Sequence, residues 1–206
     1  WWWRFKIMGL FSTFTSPTDP HVQSQRDKEV LMRVAEETGY NINTLWKVYG
    51  YESSYGQDPR MNDPGSSYHG PFQFSRELAD SLGIDRYDLY ESAKGFVKNL
   101  TGARKSLEAN IKNTSGDLSY IESLDPAVVD YLLHQQGGLG VARIALAAYS
   151  GDSEFSGGSE WYMNRIADTL KANLNDSQIK AFDNKKNPKE KIDYYIQSTK
   201  ENLEKR

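Results

Sequence analysis

Residues 93–111, with the sequence AKGFVKNLTGARKSLEANI, decide the fold class of this chain. The apolar side chains of this stretch recur three or four residues apart, at Ala93, Phe96, Val97, Leu100, Ala103, Leu107 and Ile111. That period places them along one face of an α-helix and does not fit the strict alternation of a half-buried strand. The stretch therefore predicts a long amphipathic helix, which we expect to end at the Gly116-Asp117 pair.

Helical patterns continue on both sides of this stretch, each bounded by a start or stop signal. Asn43 or Thr44 can cap one of these helices, which we expect to end near Ser53–Gly56. One further helix is predicted to end at Gly39. Four more are predicted from Ser75 to Gly83, from Asp125-Pro126 to Gly137-Gly138, from Val141 to Tyr149, and from Trp161 to about Leu174. No alternating strand pattern is longer than a few residues, so the sequence predicts an all-α fold.

The 206 residues favour one domain with extensions at both ends. We expect an N-terminal arm at residues 1–19, a helical domain at 20–174 and a charged, partly helical C-terminal tail at 175–206. The arm begins with three adjacent tryptophans. One interpretation is that they pack on the domain or on a partner, and the other is that they anchor the chain at a membrane surface. The arm lacks the uninterrupted apolar stretch of a signal peptide, and no segment approaches the ~20 apolar residues that span a bilayer. We therefore do not expect an integral membrane protein.

Composition and charge narrow the classes of function. The formal charge is −3 and the isoelectric point is about 5.7, whereas dedicated nucleic-acid-binding proteins usually carry a basic face and a high isoelectric point. The chain has no cysteine, which excludes disulfides, thiolate metal sites and thiol nucleophiles. Its three histidines lack the spacing of a helical zinc site, and no phosphate-binding glycine loop is present. We therefore expect no cofactor and no metal.

Glu52 is the best candidate for chemistry in the sequence. It lies near the C-terminal end of a predicted apolar helix, in Val48-Tyr49-Gly50-Tyr51-Glu52-Ser53-Ser54-Tyr55-Gly56, with aromatic side chains on both sides. Burial in such surroundings raises the pKa of a carboxyl by penalising its charged form, and a general acid at neutral pH needs that shift. The alternative is a solvated glutamate on a helix surface.

Further segments follow Glu52 in a particular order. After a turn-rich loop at residues 56–72, of a length that is often functional, come Gly70-Pro71-Phe72-Gln73-Phe74, Tyr131-Leu132-Leu133-His134-Gln135-Gln136-Gly137-Gly138 and Glu160-Trp161-Tyr162-Met163-Asn164-Arg165-Ile166. With Glu52-Ser53, this order resembles the lytic transglycosylases of the soluble-lytic and goose-lysozyme-like group, over about residues 25–172. The resemblance is closest to phage-encoded, virion-associated transglycosylase domains, in which a His-x-x-Gly turn can replace Tyr-Asn-x-Gly.

The resemblance implies a lysozyme-like helical domain that cleaves the β-1,4 bond between N-acetylmuramic acid and N-acetylglucosamine in peptidoglycan. Glu52 would protonate the glycosidic oxygen and then act as base on the muramoyl 6-hydroxyl, which closes a 1,6-anhydro ring. One carboxylate suffices for this cycle, whereas ordinary glycosidases use two. The family also implies a phage virion or the bacterial cell envelope (periplasm) as the location, with virion or membrane-surface contacts through residues 1–19 and 175–206.

The same resemblance assigns substrate contacts to this chain. They fall on Ser67 (or Ser66), Gln73, Phe74, His134, Gln135 and Tyr162. Phe72 stands where the family pattern has methionine, and His134-Gln135 stands where it has Tyr-Asn, so the polar partner of Glu52 is an imidazole or an amide. A rival match to that turn is Ala148-Tyr149-Ser150-Gly151. The candidates for the aromatic walls of a groove are Tyr68, Phe74, Tyr149 and Trp161.

Two alternative functions are compatible with the sequence. Asp58 and Asp63 are the acidic residues of the loop after Glu52, and either would make the enzyme a muramidase if it positioned a water. Turn formation is the other role open to both, because Asp58-Pro59 and Asn62-Asp63-Pro64-Gly65 are turn sequences. The second alternative is a catalytically silent glycan-binding or virion-structural protein. The presence of Glu52 at the motif position favours an enzyme over this alternative.

Overall fold

The predicted helical pattern is present in the computed structural model, which describes residues 20–113, 118–149 and 158–205. The described residues are all-α apart from one two-stranded antiparallel hairpin. The elements in chain order are α1 (Pro20–Thr38), α2 (Ile42–Ser53), β1 (Tyr68–His69), β2 (Phe74–Ser75), α3 (Arg76–Leu82), α4 (Leu89–Asn113), α5 (Ser119–Glu122), α6 (Pro126–Tyr149), α7 (Gly158–Lys171), α8 (Asp176–Asp183) and α9 (Pro188–Glu204). The expected arm at 1–19, the Gly116-Asp117 break and the Ser150-Gly151 turn lie outside the described residues. Among the helices described, none is both long and apolar enough to cross a membrane.

The core is organised around α4 and α6, which pack against each other. Helix α1 packs on α4, whereas α7 and α9 pack on α6. The apolar face that predicts α4 is buried, and its side chains Phe96, Leu100 and Leu107 are almost fully inaccessible to solvent. Complete burial of one such side chain contributes about 1.5–3 kcal/mol, so burial of this face stabilises the packing of α4 at the centre of the domain.

The glycine pair in α6 sets the distance between the two central helices. Gly137 has φ 62° and ψ 175°, which interrupts the helix at the break that the sequence predicts. A Cβ on Gly138 would lie 2.2 Å from the Ala103 carbonyl oxygen and 2.5 Å from the Leu107 nitrogen. No side chain fits there, so the glycine pair both bends α6 and lets its backbone approach that of α4.

Local hydrogen bonds determine both ends of α2. The N-cap is Asn41, not the expected Asn43 or Thr44, because the Asn41 backbone is extended and its side-chain oxygen accepts from both of their amides. The helix ends where predicted, and residues 54–56 all have positive φ. This left-handed stretch stops the helix immediately after its last turn, which carries Glu52.

The loop after α2 contains the hairpin β1–β2, which the sequence analysis did not predict. Two residues per strand are too few for an alternation to be visible in the sequence. Contacts with a more distant segment hold the hairpin instead. The buried Arg86 guanidinium donates to the carbonyl oxygens of Ser67 (3.2 Å) and Phe74 (3.0 Å). Gly70 approaches the same segment so closely that a Cβ would meet the Arg86 carbonyl oxygen at 1.8 Å. Arg86 thus fixes the position of the loop.

Residues 175–205 differ from the expected tail. They form α8 and α9, and α9 packs against α2, α6 and α7. Ile192, Tyr195 and Leu203 are almost fully buried, whereas Lys186 and Lys189 are exposed. The segment is charged and helical, as predicted, but its apolar face completes the core. It therefore belongs to the helical domain instead of extending from it.

Candidate active site

Glu52, at the end of α2, lies at the junction of three adjoining cavities. The cavities measure about 400, 700 and 260 Å³, and Glu52 lines each of them. Its side chain is nevertheless only 8 % exposed, because residues of α6 and of the loop after α2 surround it. The alternative, a solvated glutamate on a helix surface, is therefore wrong. A buried carboxyl inside a groove suits a ligand that extends to more than one side of it.

Burial raises the pKa of Glu52 to about 8, from an ordinary value of 4.5. Desolvation is the main cause, because removing the carboxyl from water penalises its charged form. Hydrogen bonds from Gln135 and from the Tyr131 hydroxyl lower the pKa but have a smaller effect. Glu52 is therefore protonated at neutral pH, which is the state in which a carboxyl donates a proton.

The polar partner of Glu52 is the amide of Gln135. Its Nε2 donates a hydrogen bond of 2.6 Å to Glu52 Oε1. The sequence left open whether an imidazole or an amide would take this position, and the structure places the amide there. Because Gln135 donates to one carboxyl oxygen, it stabilises the ionised form of Glu52 once the proton has left.

Tyr131 is a site residue that the sequence analysis missed. It is 1 % exposed and contacts the Tyr51 ring edge-on, with a centroid distance of 4.9 Å. Its hydroxyl donates a hydrogen bond to the Glu52 carboxyl. Its position four residues before Gln135 places both side chains on the same face of α6. That spacing was the signal that could have identified it.

His134 holds the loop instead of the carboxyl. Its Nε2 donates to the Phe72 carbonyl oxygen at 2.9 Å and lies 3.8 Å from Glu52 Oε1. The ring packs edge-on against Phe74 and Phe96, with centroid distances of 5.3 and 5.0 Å. Desolvation lowers the pKa of His134 to about 4, so the imidazole is neutral at physiological pH. A neutral imidazole links α6 to the loop and forms no ion pair with Glu52.

Gln73 and Phe74 reach the groove from the loop. Gln73 lines two of the cavities, and its Nε2 donates to the carbonyl oxygens of Met61 (3.0 Å) and Gly70 (2.8 Å). Its Oε1 accepts no hydrogen bond from the described residues, so this oxygen can accept from a ligand N–H. Phe74 lines the 400 Å³ cavity but is only 1 % exposed, so it forms part of the floor and not an open platform.

The serine at the groove is Ser66 and not Ser67. Ser66 lines two cavities, whereas Ser67 lines none of the three. The Ser66 hydroxyl donates to the Tyr68 carbonyl oxygen at 2.9 Å and accepts from the Tyr68 N–H at 3.0 Å. Ser67 is exposed, and its carbonyl oxygen accepts from Arg86.

The aromatic side chains expected at the groove divide into two groups. Tyr68 lines the 400 Å³ cavity and is 57 % exposed, so its ring is available to a ligand. Tyr162 and Trp161 line none of the three cavities and contact each other edge-on at 4.7 Å. Tyr162 packs against the core and is not brought to Glu52. The Tyr149 side chain lies outside the described part of the structure.

Asp58 and Asp63 line cavities beside Glu52, but both carboxylates are engaged in turns. Asp58 accepts from the Arg60 backbone N–H at 2.8 Å and pairs with its guanidinium at 3.1 Å. Asp63 Oδ1 accepts from the Gly65 N–H at 2.8 Å. These hydrogen bonds match the turn role that the two sequences predict.

The groove thus combines a neutral carboxyl, an amide donor and an exposed aromatic ring. No group of three or more histidine, aspartate or glutamate side chains forms a metal site in the parts of the chain that the structure describes. Comparison of the chain with family models, with curated proteins and with solved structures finds no match. What the site can do therefore follows from the chemistry of the groups around Glu52.

Proposed function

We propose that this protein is a peptidoglycan lytic transglycosylase, which cleaves the β-1,4 bond between N-acetylmuramic acid and N-acetylglucosamine and leaves a 1,6-anhydromuramoyl end. The observation that carries the proposal is the buried carboxyl of Glu52, protonated at neutral pH at the junction of three cavities. Such a group can protonate a glycosidic oxygen without an acidic medium. The order of the motifs from Glu52-Ser53 to His134-Gln135 supports the same chemistry and a lysozyme-like fold.

The reaction needs two proton transfers at Glu52. First the carboxyl donates its proton to the glycosidic oxygen as the bond from that oxygen to muramoyl C1 breaks. The carboxylate that forms accepts the hydrogen bond from Gln135, which stabilises its charge. Glu52 then takes the proton of the muramoyl 6-hydroxyl as that oxygen bonds to C1. Glu52 ends protonated, so the cycle consumes no water.

A muramidase is the second candidate, because Asp58 and Asp63 line cavities that Glu52 also lines. Hydrolytic glycosidases place two carboxyl groups about 5–5.5 or 6.5–9.5 Å apart, on opposite sides of the bond. Two observations favour the transglycosylase. Both aspartates are used in turns, and the groups hydrogen-bonded to Glu52 are the Gln135 amide and the Tyr131 hydroxyl, neither of which is a second carboxylate.

Mass spectrometry of the soluble products from purified peptidoglycan tests the proposal. The parent chain and Glu108→Gln, a change on the exposed side of α4, should release 1,6-anhydromuropeptides, and Glu52→Gln should release none. Reducing muropeptides, which are heavier than the anhydro products by one water, would show instead that the protein is a muramidase. If the parent chain releases nothing but still binds peptidoglycan in a pull-down, it is a silent glycan-binding or virion-structural protein.

The resemblance also supports a setting for this activity. We expect peptidoglycan strands as the partner and a phage virion or the bacterial cell envelope as the location, with contacts to the virion or a membrane surface through residues 1–19 and 175–206. In the second of these segments, the exposed Lys186 and Lys189 are available for such contacts. Detection of the chain in purified virions or in envelope fractions tests this expectation.

A further inference from the structure

The 700 Å³ cavity extends from Glu52 towards the C-terminal helices and differs in character from the rest of the groove. Besides Glu52, its polar lining includes Arg60, Asn173, Asn175, Gln178, Asn202 and Lys205. We name these six residues and the cavity they line the polar arm. Asn202 and Lys205 come from the end of α9, and Asn175 and Gln178 from the start of α8. The segment expected as a tail thus forms one wall of the groove.

The polar arm carries a net positive charge. Arg60 is offset by Asp58, with which it pairs at 3.1 Å. Glu52 is neutral at physiological pH, since burial raises its pKa to about 8. Lys205 is exposed and forms no ion pair with the residues that the structure describes. One positive charge and several amide groups therefore face this cavity, a combination that suits a ligand with carboxylates and peptide bonds.

The 400 Å³ cavity on another side of Glu52 has different chemistry. Amide side chains line both cavities, but the lining of this one includes no lysine or arginine, and it contains the exposed ring of Tyr68 together with Phe74 and Leu78. An aromatic face is suited to the apolar side of an uncharged sugar ring. Tyr51 and Tyr131, which also line the 700 Å³ cavity, present no comparable face, because Tyr131 is 1 % exposed and contacts Tyr51 edge-on.

We propose that the polar arm binds the peptide stem of the muramoyl residue beside Glu52, with Lys205 contacting a stem carboxylate. This inference rests on the proposed function, because it takes peptidoglycan as the substrate. In that polymer the sugars are uncharged along the strand, whereas the peptide attached to the muramoyl lactyl group carries free carboxylates. The cation, which lines the polar arm and not the cavity with Tyr68, therefore recognises the peptide, and the cavity with Tyr68 holds the glycan.

A binding measurement tests the proposal separately from catalysis. The probes are the disaccharide GlcNAc-MurNAc with a tetrapeptide stem and the same disaccharide with its lactyl carboxyl capped as an uncharged N-methylamide, neither of which contains the scissile bond. We expect the parent chain to bind the peptide-bearing probe about fivefold more tightly, the upper range for an exposed ion pair. Raising the sodium chloride concentration to about 1 M, where the Debye length is about 3 Å, should reduce this preference.

Matched lysine variants locate the preference. Lys205→Gln should abolish it, whereas Lys200→Gln should retain it, because Lys200 lies on the same helix, faces Glu204 at 3.9 Å and does not line the cavity. Circular dichroism checks that both variants are folded. Equal affinity for the two probes, a preference that survives in Lys205→Gln, or no binding of either probe overturns the proposal. Release of anhydromuropeptides in the separate product assay shows that the proposed function stands even then.

Discussion

At the residue scale, the burial that keeps Glu52 protonated also affects the stability of the folded chain. The pKa of Glu52 is about 8 in the folded state, against an ordinary value of 4.5. Between pH 4.5 and pH 8, the folded state therefore holds a proton that the unfolded state has already lost. The resulting stabilisation is fully present below pH 4.5 and is lost as the pH rises through 8. At pH 7 the loss amounts to about 3 kcal/mol, at 1.36 kcal/mol per pKa unit.

Glu52→Gln should therefore abolish peptidoglycan cleavage and stabilise the fold at the same time. The amide cannot ionise, so we expect the free energy of unfolding at pH 7 to increase by about 2–3 kcal/mol, with little change at pH 4. Urea unfolding at the two pH values measures the effect. Glu108→Gln, on the exposed side of α4, should change the free energy little at either pH. An equal effect of Glu52→Gln at both pH values would contradict the role of desolvation.

Gln135→Ala removes the hydrogen bond that favours the ionised form of Glu52. A hydrogen bond to a charged group contributes about 1.5–3 kcal/mol, so the pKa of Glu52 should rise by about one to two units. Because the acid form is required first, the alkaline limb of the pH–rate profile should move up by the same amount while the maximal rate falls. Gln197→Ala, which removes an exposed amide that donates to Glu201, serves as control. An unmoved alkaline limb would remove Gln135 from the site.

At the element scale, the contact between α4 and α6 depends on the absence of a side chain at Gly138. In Gly138→Ala the new Cβ would lie 2.2 Å from the Ala103 carbonyl oxygen, so one helix must move. We expect a loss of about 2–4 kcal/mol in the free energy of unfolding. Gly102→Ala is the matched control, because a Cβ there meets nothing within 4 Å. In that variant the better helix propensity should add up to about 1 kcal/mol. Similar effects in both variants would contradict the close contact.

The loop between α2 and α3 should depend on Arg86 in the same way. Arg86→Ala removes the guanidinium donor to the buried Phe74 carbonyl oxygen, which costs about 1–3 kcal/mol, and the donor to the Ser67 carbonyl oxygen, which costs less because Ser67 is exposed. We expect faster proteolysis within residues 56–75 and a higher KM for peptidoglycan, since Gln73 and Tyr68 depend on this loop. Arg76→Ala, at the exposed start of α3, should change neither quantity. Unchanged proteolysis in Arg86→Ala would show that other contacts hold the loop.

At the scale of the whole molecule, α9 should unfold together with the rest of the domain. Leu203 is 2 % exposed, and Leu203→Ala should lower the free energy of unfolding by about 2–4 kcal/mol in a single transition. Leu139→Ala makes the same chemical change at a side chain that is 45 % exposed, and its effect should be much smaller. Denaturant unfolding followed by tryptophan fluorescence measures both. A separate early transition for Leu203→Ala would mean that α9 is an independent extension.

The sequence by itself determined the local structure of this protein. The apolar spacing of residues 93–111 predicted α4, Ser75 and Gly83 bounded α3, and Asp125-Pro126 marked the start of α6. These signals can be read along the chain because capping bonds, backbone preferences and helical periodicity act within a few residues. The hairpin β1–β2 and the packing of α9 were missed, since both depend on contacts with distant segments.

Only the tertiary structure decided the chemistry of Glu52. The sequence identified the residue, but its partner Gln135 is 83 residues away, and its burial is created by α6 and the loop after α2. Tyr162 was expected among the substrate contacts and instead packs against the core, whereas Tyr131 occupies the site. The physical reason is that desolvation and long-range hydrogen bonds depend on how separate helices pack. No pattern within one segment specifies that arrangement.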